Sequence, residues 1–163
     1  MQRYLLVVIF LIANISNAFG QKDANIPSDH NNILITNVES VKMFLNGERV
    51  KYDEIWIPAE IDISKYKAAL KEYLRQNADA NAPRDSNLVN SKFILEHFNE
   101  YSVRYSGFIK EGKKSLIFQM IGHDSDENSN NFSHIFDGGY WVVIVVIEVE
   151  NKKIIKIRCH GEA

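Results

Sequence analysis

Tyr140-Trp-Val-Val-Ile-Val-Val-Ile-Glu-Val149, then Glu150-Asn-Lys-Lys153, then Ile154-Ile-Lys-Ile-Arg-Cys159 reads as one long β-hairpin. Its first arm is dominated by β-branched residues and contains no glycine or proline, which favours strand over helix. At ~3.3 Å per residue, 141–149 extends roughly 30 Å, long for a strand. Side chains alternate, so Trp141, Val143, Val145, Ile147 and Val149 share one face. The other face carries Tyr140, Val142, Ile144, Val146 and Glu148.

The turn decides which residues oppose each other. A two-residue turn at Asn151-Lys152 sets Ile147 against Lys156 and Val145 against Arg158, burying charge in a valine row. A three-residue turn through Lys153 pairs Val149 with Ile155, Ile147 with Ile157, Val145 with Cys159 and Glu148 with Lys156. The second register is favoured, with lysine where such turns prefer glycine. The Trp141 face is then core. The opposite face, Tyr140, Val142, Ile144 and Val146 with Arg158 and His160, is apolar enough to need a cover. That cover is another part of the chain, a partner protein, or a second copy forming a homodimer. These six residues are therefore the candidate binding surface. Asp137-Gly138-Gly139 reads as a structural turn, the glycines marking a bulge and the carboxylate accepting backbone N–H groups. No helix follows the glycines, which excludes a phosphate cradle.

Working outward from the hairpin, 101–105 and 116–120 alternate as two further strands, joined by a turn at Glu111-Gly112. A polar loop covers 122–134. Ile63, Tyr66, Leu70, Tyr73 and Leu74 recur at helical spacing, predicting an amphipathic helix over 60–76 capped by Asp62. A shorter second helix is expected within 88–98, and a short edge strand at 33–36. Asn46-Gly47 between apolar residues predicts a type I′ hairpin pairing Met43 with Val50 and Val41 with Tyr52. That strand would run on through 55–57 until Pro58 stops it. The expected class is α+β: an N-terminal β-hairpin, then one main helix and a possible short second one. These helices pack on a curved four-stranded antiparallel meander.

Residues 1–20 read as a secretory signal peptide: Arg3, an apolar run over 4–13, then small residues placing cleavage after Ala18 or Gly20. Residues 21–32 are a flexible lead-in and 33–163 a single domain. The expected location is periplasmic or secreted, with no membrane span in the mature chain. The full chain has net charge −2. Losing Arg3 leaves 18 basic against 21 acidic residues, so no global footprint for nucleic acid exists. Cys159 is the only cysteine, which excludes an internal disulfide and suits a buried residue of the last strand.

A helix followed by four antiparallel strands resembles cystatin-like and nuclear-transport-factor-like folds. Tyr105-Ser-Gly107, Asp137-Gly138-Gly139 and His160-Gly161-Glu162-Ala163 are similar to the closing pattern of an uncharacterised family of small exported bacterial proteins. That family's ending usually reads Asn-Gly-x-Ala, and His160 stands here at the asparagine position. The resemblance implies export and fold, and no activity.

Catalytic signatures are missing. No serine sits in a Gly-x-Ser-x-Gly elbow. His123-Asp-Ser-Asp-Glu-Asn128 opens like a calcium loop, yet Ser129 and Ile135 stand where that loop needs Gly and Glu. His123 and His134 lack the spacing of a zinc motif. No cofactor or metal is expected. The reading is an exported non-enzymatic binding protein, such as an inhibitor or immunity-type module. The alternative is a small periplasmic hydrolase or metal-dependent enzyme using Asp137 and His160, with Glu162 near them, or the 122–134 loop.

Overall fold

A computed structural model describes residues 32–78, 89–122, 129–135 and 138–160. Of the leader and lead-in expected over 1–32, residues 1–31 lie outside the described residues, as do the loop core 123–128, Asp137 and the last three residues; Asn32 already belongs to a strand. Its strands are β1 (Asn32–Leu34), β2 (Glu54–Trp56), β3 (Tyr101–Lys110), β4 (Lys113–Gly122), β5 (Gly139–Glu148) and β6 (Ile154–His160). The helices are α1 (Val38–Gly47), α2 (Ile63–Asn77) and α3 (Ser91–Glu96), with a 3-10 turn at Phe98–Glu100.

The fold is α+β, as expected, but the sheet has six strands and is mixed. The four antiparallel strands β3–β6 form the expected meander. β1 adds parallel to β3, and β2 adds antiparallel along the same β3 edge. Two-residue spacing assigns each side chain to a face. On the first face, Val103, Met120, Val143 and Cys159 lie in one row across the sheet. α2 buries Ile63, Tyr66, Leu70 and Leu74 against this face. Asp62 caps the helix by accepting from Ser64 N at 3.2 Å. This is the core predicted from the Trp141 row and the helix stripe.

The N-terminal hairpin is not present. Residues 38–47 are helix α1, capped by Asn37, which accepts from Ser40 N at 3.3 Å. Val41, Phe44 and Leu45 fall at helical spacing and are buried on the second face of the sheet. Asn46-Gly47 is the last turn of this helix and the reversal comes later. Arg49 N bonds Asn46 O at 3.0 Å and Val50 N bonds Leu45 O at 2.8 Å. That is a Schellman ending, with Arg49 at φ 53 in the left-handed place that glycine usually fills.

α1 is the cover that the second face requires. Val142, Ile144 and Val146 are 2%, 0% and 3% exposed beneath α1 and Phe132. They are core residues and unavailable to a partner or second copy, which corrects their assignment to a binding surface. The register also differs from both expected turns. Val145 pairs with Ile157 and Val146 with Lys156, then Ile147 pairs with Ile154. The slip is two residues from the favoured alignment, so every side chain keeps its expected face. Ile155 is the extra residue of the resulting bulge and is 55% exposed. Lys152, at φ 55, takes the left-handed place in the turn.

Other expectations survive. Glu111 and Gly112 both have positive φ, at 52° and 74°, making the β3–β4 turn type I′. Gly139 has φ 52, and the β5–β6 register shifts between Gly139 and Val143, so the glycine pair does mark a bulge. A Cβ on Gly138 would lie 2.1 Å from Val142 Cγ2, so the chain can pass there only as glycine.

Cys159 packs against the first core, where burial pushes its thiol up from 9.0 to about 11. Burial likewise raises the Tyr101 phenol, whose O–H donates to Tyr140 O at 2.6 Å. Both groups are neutral when protonated, so the Cys159 contribution is complete below pH 9 and lost as pH rises through about 11, while that of Tyr101 is complete below pH 10 and persists to higher pH. Denaturant titrations between pH 8 and 11 should show this decline. At pH 8 the folded thiol should react with a disulfide reagent about a hundredfold more slowly than in the unfolded chain.

Candidate functional site

The last turn of α1 brings the chain over one end of the second face. Glu48 follows the helix, is 3% exposed, and meets the outward row of β6. Its Oε1 lies 2.6 Å from His160 Nε2, and its Oε2 pairs with Arg158 Nη2. Its carbonyl accepts from Lys156 Nζ at 2.7 Å, so a cation sits where the helix dipole leaves negative charge. Lys156, Arg158 and His160 are alternate residues of one strand, so a single helix terminus can engage all three. Burial, then the neighbouring Arg158 charge, pulls the Lys156 ammonium down from its ordinary value of 10.5.

Arg158 and His160, expected as partner-facing residues, are thus turned onto Glu48. Tyr140 is half-buried beside Phe93, their ring centroids 5.6 Å apart. Gly138 N donates to His160 O at 3.1 Å, so the two hairpin ends meet as expected. Asp137 itself, Glu162 and the 123–128 cluster lie outside the described residues. Among the described residues no group of three or more His, Cys, Asp or Glu could hold a metal ion. No described helix is long and apolar enough to cross a membrane.

Beyond α1 the second face opens into a groove of about 590 Å³. Phe108, Ser115 and Val146 form its floor. Arg49 and Lys51 enter from the post-helix segment, Lys110 and Lys113 from the β3–β4 turn, and Lys156 from β6. Glu111 and Glu148 are the acidic members, leaving five cations against two carboxylates, a local net charge of +3. The whole chain is −2, so this concentration is local and departs from the average. Lys110–Glu111 at 3.7 Å is an exposed pair that binds weakly, and Lys113 lies 3.5 Å from the largely buried Glu148 carboxylate. Among the described residues, neither Arg49 nor Lys51 has an ion-pair partner.

Sequence reasoning missed this site because its cations come from three separated segments. Each segment alone reads as a solvated turn. One signal was available: Arg49 at the end of an apolar pattern with period 3.6, where a helix stop favours glycine. Arg49→Gly should raise stability by about 0.5–1 kcal/mol, read from a denaturation midpoint, because the left-handed backbone then costs little. The same substitution removes a cation from the groove and should weaken any anion bound there.

No family model, curated protein or solved structure matches this chain.

Proposed function

We propose that this chain is an exported, non-enzymatic binding protein that recognises an acidic surface through the groove between α1 and the β3–β4 turn. The observation carrying this is the gathering of Arg49, Lys51, Lys110, Lys113 and Lys156 around one hollow in an otherwise acidic protein. Two of these positions also accept unfavourable local chemistry. Arg49 holds a left-handed backbone, and Lys156 keeps its ammonium where burial disfavours charge. Stability alone favours glycine at the first, so an arginine there supports a role for its charge. Clustered charge of one sign concentrates an oppositely charged partner and orients its approach. An inhibitor or immunity-type module needs that selectivity without any catalytic group. Export is supported by the composition of residues 1–20 and by the resemblance of the closing pattern to exported bacterial proteins. N-terminal sequencing of the secreted or periplasmic form should begin after Ala18 or Gly20.

The test is fluorescence anisotropy with labelled poly-L-glutamate at 50 and 300 mM NaCl. Saturable binding is expected at low salt, weakened by salt, and reduced about tenfold or more in Lys51→Glu/Lys113→Glu. Both residues are exposed, so the variant should stay folded, with a small fall in thermal midpoint from setting a carboxylate beside Glu148. Equal binding by the variant would remove the groove from consideration.

A further inference from the structure

We propose that Asn46-Gly47 is a self-modification site, closed while the end of α1 is helical and open when that turn frays, whose products switch off the neighbouring groove. The effect on the groove rests on the binding role proposed above; the site itself does not. Asn46-Gly47 is the only Asn-Gly pair in the sequence. No side chain shields the glycine amide, so it can attack the preceding carboxamide within its own chain. Both residues are exposed, and a Cβ on Gly47 would meet nothing within 4 Å, so water reaches the pair. Other asparagines are restrained by side-chain bonds. Asn37 and Asn90 cap helices, and Asn130 accepts from Thr36 N at 2.8 Å.

The chemistry needs water alone. Gly47 N loses its proton and attacks Asn46 Cγ; the new C–N bond closes a five-membered imide, and the side-chain nitrogen leaves as ammonia. Water then adds to one imide carbonyl and breaks its bond to nitrogen. Opening at the former side-chain carbonyl gives aspartate, and opening at the main-chain carbonyl gives isoaspartate. One water enters, one ammonia leaves, nothing is oxidised or reduced, and the mass rises by about 1 Da.

Conformation sets the rate. Ring closure needs Asn46 Cβ and Gly47 N nearly eclipsed about the Cα–C bond, a ψ of about −120° and roughly 80° from the helical value. Gly47 ends α1, Glu48 N bonds Phe44 O at 2.9 Å, and Arg49 N bonds Asn46 O at 3.0 Å. The buried Glu48 carboxylate pins the same turn to Arg158 and His160. Attack therefore waits for local opening of the helix end. Neither product restores the turn. Aspartate adds charge where the helix dipole is already negative, two residues from Glu48. Isoaspartate lengthens the main chain by one atom, so the Glu48 N and Arg49 N bonds lose register. Arg49 and Lys51 then lose their place on the groove wall.

The mature chain is incubated at 37 °C and pH 8, folded and in concentrated urea, and sampled by peptide mapping. In urea Asn46 should be modified before any other asparagine, and in the folded chain at least about tenfold more slowly. Gly47→Ala fits the open space and should slow the reaction in urea about tenfold, because a methyl group shields the amide. Arg49→Gly, which relaxes the left-handed residue of the turn, should slow it further in the folded chain, and Glu48→Gln should speed it. Equal rates in the folded and unfolded chain overturn gating by α1. Modification in urea with none in the folded chain overturns the switch, since the turn then never frays. The purified isoaspartate form should bind poly-L-glutamate about tenfold more weakly than the parent. Undiminished binding overturns the effect on the groove, although the site stands. If the unmodified parent does not bind poly-L-glutamate either, the groove reading fails, while the modification rates still decide the site.

Discussion

Glu48→Gln should destabilise the fold by about 3 kcal/mol and lower the thermal midpoint by roughly 10 °C. The carboxylate is 3% exposed and meets His160 Nε2 and the Arg158 guanidinium together. A neutral amide leaves Arg158 beside Lys156 with no compensating charge. Arg158 Nε already has no hydrogen-bond partner among the described residues, so little remains there to hold the cation. Breaking one partner of a buried pair typically costs ~3–5 kcal/mol. The Arg158 side chain keeps 31% exposure and recovers some hydration, which places the expectation at the lower end. Replacing both partners with apolar residues separates this account from a simple loss of packing. Glu48→Leu/Arg158→Met should fall within about 1 kcal/mol of the parent, because no orphaned charge is then buried. If the double variant is as unstable as the single one, shape at the end of α1 matters and charge does not. The loss should also reach the groove, since Glu48 directly precedes Arg49 and fixes the path of the chain there.

Much of this architecture could be read from residue order because one side-chain row of β5 is continuous. Trp141 through Ile147 on alternate positions, and the Ile63–Leu74 stripe, each need an apolar partner, and each is the other's. Face assignment survived an error in register because the slip was two residues, and alternation has period two. The bulge at Ile155 could not be foreseen, since it depends on how the turn at Lys152 accommodates a left-handed lysine. The failure at 38–47 has a plain cause. Asn-Gly is the strongest short hairpin signal, and it outweighed the Val41, Phe44 and Leu45 spacing that belongs to a helix. The same mistake created the candidate docking surface. Once 41–45 are read as strand, no particular segment of the chain is assigned to cover Val142, Ile144 and Val146. The groove itself depends on tertiary placement: 49–51, 110–113 and 156 meet only after α1 settles on the second face.

Arg104→Met should cost about 2–4 kcal/mol and free the loop that completes the second face. Arg104 stands at the centre of β3, fully buried, in a row with Gln119, Ile144 and Arg158. Its Nη1 donates to Asn131 O at 2.6 Å, a charge-assisted bond to a loop carbonyl. Beside it, Gln119 binds both polar groups of one loop residue, donating to Ser133 O at 2.7 Å and accepting from Ser133 N at 2.8 Å. These two side chains lash 129–135 down onto the sheet. There, Phe132 stacks on Phe44 of α1 with ring centroids 4.1 Å apart. Asn130 Oδ1 accepts from Thr36 N at 2.8 Å, tying the same loop to the segment before α1. Methionine preserves the apolar stem but strands the Asn131 carbonyl, so the loss should concentrate in the loop. Hydrogen exchange at the Phe132 and Ser133 amides should accelerate well before that of β4 and β5. Arg104→Lys should rescue only part of the stability, because a single ammonium cannot reproduce the planar fork. A lysine variant within about 0.5 kcal/mol of the parent, with unchanged loop exchange, would show that α1 packing alone holds the second face closed.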